Sequence, residues 1–115
     1  MNELPKEDVS QGSILVMDLD PVAGHEQGGR RPVLVISIGD FYGLTGNALV
    51  VPITSKIKDF GLTVQLPDSM KTNGIILCQH IRSVDVNSRN ARKVDECPKE
   101  VIEKVLDITD KMLRK

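Results

Sequence analysis

A mainly β domain with one C-terminal α-helix, built as a small barrel or sandwich, is the fold class this sequence predicts. Short apolar runs rich in Val and Ile recur along most of its 115 residues, bounded by Gly, Pro or Asp. After Pro98 the apolar period lengthens from that of a strand to that of a helix. The length is that of one domain, residues 1–115, able to bury a core without disulfide or metal staples.

Residues 1–11 are polar and read as a partly disordered arm. Gly12 opens the first strand, Ser13 to Leu19, which Asp20-Pro21 stops. Pro32 to Ile38 is nearly all apolar and branched, the pattern of a strand buried on both faces. Gly39 to Gly46 is expected to be a connection carrying Phe41 and Tyr42, and Ala48 to Ile53 a third strand. Pro52 gives up a ladder donor, which places it at a strand edge, end or bulge. Gly61 to Leu66, Gly74 to Cys78, Ile81 to Val86 and Ala91 to Asp95 complete the strand set, and Ile81 to Val86 alternates most clearly.

Val101, Ile102, Val105, Leu106, Thr109, Met112 and Leu113 fall on one face of a helix. Pro98 suits its first turn, and Arg114 and Lys115 suit its negative end.

The composition narrows function. Net charge is −1, so a basic site would be local rather than a uniformly basic surface. Aromatic residues make up 3% (Phe41, Tyr42 and Phe60, with no Trp), too few for an aromatic stacking platform to hold single-stranded nucleic acid. Cys78 and Cys97 are too few and too isolated for a disulfide scaffold or a zinc site. The two histidines form no metal-binding spacing, so neither metal nor cofactor is expected. The polar start is unlike a signal peptide, and no apolar run approaches the ~20 residues that span a bilayer, which makes the cytoplasm the expected location.

The densest chemistry lies in Gly24-His25-Glu26-Gln27-Gly28-Gly29-Arg30-Arg31-Pro32, between the first two strands. Clustered glycines suit a loop that bends or lies close to a ligand. Two guanidiniums there suit planar recognition of phosphate or carboxylate, beside an imidazole and a carboxylate able to move protons. Arg31 is either a phosphate grip or a solvated arginine, and Pro32 holds it in extended geometry. Glu26 either orders the loop through an arginine or assists proton transfer. Thr54 and Ser55 follow a strand end, where hydroxyls form turns or donate to phosphate. Lys56 and Lys58 add charge nearby, Gln79 and His80 end an apolar strand, and Arg82 is open to an RNA contact or a pair with Asp85.

The run Asp18 to Val35 closely resembles the opening signature of the MazF/PemK (Kid-type) toxins. Val51-Pro52-Ile53-Thr54-Ser55 is similar to the family's second signature, and Ile81-Arg82-Ser83-Val84-Asp85 to its third. The resemblance covers the chain from Gly12 onward. It implies an SH3-like barrel with a C-terminal helix, usually a homodimer. It also implies a metal-independent endoribonuclease that cuts single-stranded RNA, the toxin of a type II toxin–antitoxin pair, with a cognate antitoxin as partner. In such enzymes the RNA 2′-hydroxyl attacks the neighbouring phosphate, leaving a 2′,3′-cyclic phosphate and a 5′-hydroxyl. Carried onto matching positions, Arg31 and Thr54 are catalytic, with Glu26 and His25 assisting. Gln27, Gly28, Arg30, Ser55, Lys56, Gln79 and Arg82 are expected to line the RNA site. The chain departs from the family in having Gln79-His80 where many members have an acid followed by Gln, so a mechanism needing that acid is closed to it. A CcdB-like gyrase poison relies on a Trp near the end of its chain, which this chain lacks, and a catalytically silent RNA-binding module is the other alternative.

Overall fold

The computed structural model describes residues 3–21, 23–24, 28–56 and 62–115. Among them run β1 (Ser13–Asp18), β2 (Arg30–Val35), α1 (Gly39–Thr45), β3 (Asn47–Thr54), β4 (Thr63–Gln65), β5 (Ile75–Leu77), β6 (Arg82–Asp85), β7 (Arg92–Glu96) and α2 (Lys99–Leu113). The strand order is β4-β5-β3-β2-β1-β7, with β6 beside the first half of β3. Every pairing is antiparallel. The sheet curls, and among the described residues no ladder joins its edge strands β4 and β7, so there the barrel is not fully laced.

The central strands are buried on both faces because both faces have covers. On one, Leu34, Val51, Ile53 and Ile76 pack under Val101, Ile102 and Val105 of α2. On the other, Leu15, Met17, Val33, Val35 and Val50 pack with Val9, Tyr42, Val84 and Val86. Strand side chains alternate between faces, which explains why β2 and β3 are apolar at successive positions.

Three sequence expectations need correction. The arm is packed, not disordered, over its described part. It holds a single 3-10 turn, Lys6–Asp8, and Val9 is fully buried. Gly39 to Gly46 contains helix α1, which ends on Gly46 in the left-handed region at φ 76°. Tyr42 anchors α1 by donating its hydroxyl to the Leu4 carbonyl at 2.6 Å and accepting from Asn87 Nδ2 at 2.8 Å. Pro52 lies within the central strand, on the last rung that β3 shares with β2.

The predicted helix forms, but its apolar face ends early: Leu113 is exposed. Pro98 caps α2 from just outside its first turn. Among the described residues, no helix is long and apolar enough to cross a membrane.

Candidate active site

β2 and β3 bring Arg31 and Thr54 to one place. Their ladder runs Val35–Val50, Leu34–Val51 and Val33–Pro52. The next rung would set Pro32 against Ile53, and Pro32 has no N–H to donate. The ladder stops there. On the opposite edge of β3, its last residues pair with β5, as Ile53–Ile76 and Thr54–Ile75. Continued past its last rung, the same register would set Arg31 at the level of Thr54. Both share the face of Val33 and Val50.

Arg31 is half-buried, and its Nε donates to the Gly28 carbonyl at 2.8 Å. That bond fixes the plane of the guanidinium. Its terminal Nη groups have no partner among the described residues. Thr54 is buried, and its Oγ1 accepts the Lys56 backbone N–H at 3.2 Å. With that lone pair occupied, the hydroxyl proton is the part left to donate. Ser55 and Lys56 follow directly and are exposed.

The stem of the glycine loop is held by arginines from elsewhere in the chain. Arg82 Nη1 donates to the Leu19 carbonyl at 3.0 Å. Arg89 Nη1 donates to the carbonyls of Asp18 at 3.1 Å and Asp20 at 3.3 Å. The Leu19 N–H donates to the Gly29 carbonyl, and the Gly29 N–H to Asp20 Oδ1 at 3.0 Å. Gly29 has φ 76°, a left-handed geometry that a side chain would strain. The path from Arg89 through Asp20 and Gly29 ends beside Gly28, whose carbonyl holds Arg31.

The remaining expected site residues divide. Arg30 projects to the opposite face from its neighbour Arg31, pairing with Asp18 Oδ1 at 3.2 Å and the Asn90 carbonyl at 2.8 Å. Arg82 shares the face of Arg31 but reaches Leu19, not Asp85. Gln79 lies in the single 3-10 turn Cys78–His80 between β5 and β6, and its Oε1 is buried without a partner. His25, Glu26 and Gln27 lie outside the described residues, as do Lys58 and Phe60.

Burial pushes the Cys78 thiol up to about 11. Burial, with Glu96, Asp95 and Glu100 nearby, also pushes Cys97 up to about 11. Both are packing residues, held as neutral thiols at neutral pH. The bracing role of Arg89 has no sequence motif to mark it, and its partners lie about seventy positions away.

The family model for the PemK-like, MazF-like toxin of type II toxin-antitoxin systems matches residues 10–113. Over 105 residues the chain is 34% identical to endoribonuclease PemK of Escherichia coli, covering 88% of this chain and 79% of that one. The fold matches the crystal structure of MazF from Deinococcus radiodurans with a TM-score of 0.86 and 38% identity, over 90% of this chain and 94% of that one. A MazE-MazF structure from the same organism matches with a TM-score of 0.80 and 38% identity over the same shares.

Proposed function

This chain belongs to the PemK-like, MazF-like toxin family and is an endoribonuclease toxin of a type II toxin–antitoxin system, and we propose that Arg31 and Thr54 together cut its RNA. What supports this reading is the β2–β3 register, which, continued two residues past its last rung, would set the two side chains level on one face.

The RNA 2′-oxygen attacks the adjacent phosphorus, and the bond from phosphorus to the 5′-oxygen breaks. The products are a 2′,3′-cyclic phosphate and a 5′-hydroxyl. Negative charge grows on the phosphoryl oxygens during the step. The Nη groups of Arg31 meet that charge with planar donors, and the Thr54 hydroxyl adds one more. The Gly28 carbonyl keeps the guanidinium from turning away, so little reorganisation is left for the moment of reaction. The substrate supplies the nucleophile, and the chain supplies a fixed cation and groups to take the 2′-hydroxyl proton and give one to the 5′-oxygen, so the proposed reaction needs no metal ion. His25 and Glu26 are the groups proposed to move protons. Gln27, Gly28, Ser55, Lys56, Gln79 and Arg82 are proposed to border the RNA path, with Arg30 contributing charge from the other face.

A cognate antitoxin is the protein partner, and the working form is proposed to be a cytoplasmic homodimer. The relatives carry endoribonuclease names, so the gyrase-binding alternative is set aside.

The test is cleavage of a mixed transcript pool in excess EDTA. The native chain yields 5′-hydroxyl and 2′,3′-cyclic phosphate ends, and Arg31→Ala yields none above background. Cleavage that stops in EDTA, or continues in Arg31→Ala, contradicts the mechanism.

A further inference from the structure

No backbone ladder sets the spacing between Arg31 and Thr54, because the β2–β3 pairing ends at Val33–Pro52. Arg31 belongs to the run β7-β1-β2, through its rung with Met17. Thr54 belongs to the run β3-β5-β4, through its rung with Ile75. These two runs meet again on the far side of the curled sheet. There the Thr72 N–H, in the connection from β4 to β5, donates to Asp95 Oδ2 of β7 at 2.8 Å. The other carboxylate oxygen, Oδ1, accepts the Glu96 N–H at 2.8 Å. Met70 and Val94, on either side of this bond, pack on the same core.

Two residues after Thr72 the chain presses directly on Thr54. Gly74 has φ 136°, and a Cβ there would stand 2.6 Å from the Thr54 carbonyl oxygen and 2.9 Å from Ile53 Cγ2. The Gly74 carbonyl is itself held, by the Leu66 N–H at 3.0 Å and Gln65 Nε2 at 3.1 Å. The segment from Thr72 to Gly74 therefore joins β7 to the end of β3.

We propose that Asp95 is a positioning residue for RNA cleavage: its carboxylate ties the β4–β5 connection to β7 and so sets Thr54 against Arg31. The inference rests on Arg31 and Thr54 being the reacting pair. Small misplacements of a reacting group lower turnover while leaving binding through the rest of the substrate intact.

The experiment is steady-state RNA cleavage by the full chain carrying Asp95→Ala, Asp95→Asn, Thr72→Pro or Thr54→Val, each checked for a native circular dichroism spectrum. Asp95→Ala lowers kcat about tenfold and leaves KM within about twofold. Asp95→Asn keeps an oxygen able to accept the Thr72 N–H and recovers most of that loss. Thr72→Pro removes the donor from the other side of the bond and matches Asp95→Ala, which covers the case in which Asp95→Ala does not fold. A folded Asp95→Ala or Thr72→Pro chain with native kcat, beside an impaired Thr54→Val, overturns the latch and leaves the reacting pair standing. A rise in KM at native kcat also overturns it. Native kcat in Thr54→Val overturns the reacting pair, and the latch with it.

Discussion

Arg31 and Thr54 each lie two residues past the Val33–Pro52 rung, on neighbouring strands whose shared ladder has ended. One carries a guanidinium held by a loop carbonyl, and the other a buried hydroxyl that accepts one backbone N–H and keeps its proton to donate. An electrophilic corner of this kind needs no nucleophile from the protein when the substrate brings its own.

The hydroxyl of Thr54 separates from its methyl by substitution. Thr54→Ser keeps the donor and retains most of the cleavage rate. Thr54→Val keeps the shape, loses the donor, and lowers kcat roughly 10–10²-fold. It also strands the Lys56 N–H, at a stability cost of about 1 kcal/mol. Single-turnover cleavage and urea denaturation of the two variants check both effects.

Arg89 braces the loop stem through two carbonyls, so Arg89→Gln loosens the route to Arg31. The loss of these charge-assisted bonds costs about 1–3 kcal/mol. Trypsin then cuts after Arg30 severalfold faster than in the native chain, as timed peptide mapping would record. Unchanged trypsin kinetics would show that the stem is held without Arg89.

Gly74→Ala forces a side chain onto the Thr54 carbonyl at a backbone angle that disfavours it. The expected destabilisation is roughly 2 kcal/mol or more. A lower midpoint of urea unfolding, with kcat falling alongside, is the result to look for.

The raised thiols give a pH dependence with a definite sign. Each is pushed from 9.0 to about 11 in the folded chain. The folded state therefore holds protons more tightly than the unfolded one. The stability this contributes is present in full below about pH 9, and is lost as pH rises toward 11. Cys78→Ala and Cys97→Ala variants lose less stability across that window than the native chain does. In the native protein near pH 8 both thiols react slowly with iodoacetamide, and unfolding releases them.

Much of this was legible in the sequence. Branched apolar runs marked most of the strands, and the unbroken run after Pro32 announced burial on both faces, which α2 and the N-terminal arm supply. The proposal for Arg31 and Thr54 comes from the motifs around them. Helix α1 was not legible, because Gly39, Gly43 and Gly46 read as a turn, and its anchor on Tyr42 comes from distant Leu4 and Asn87. Pro52 was misplaced because a missing N–H disfavours a central strand, whereas here it falls in the gap between the β3–β6 and β3–β5 ladders. Arg89 and Asp95 make long-range bonds to backbone groups, and no local pattern encodes such a bond.

The joint action of Arg31 and Thr54 is tested most directly by a double-mutant cycle on the single-turnover rate of RNA cleavage. Arg31→Lys and Thr54→Val each slow the step, and the combined variant is slowed far less than the product of the two single losses, because both groups serve one phosphate. Losses that simply multiply, or a native rate in either single variant, would contradict the account.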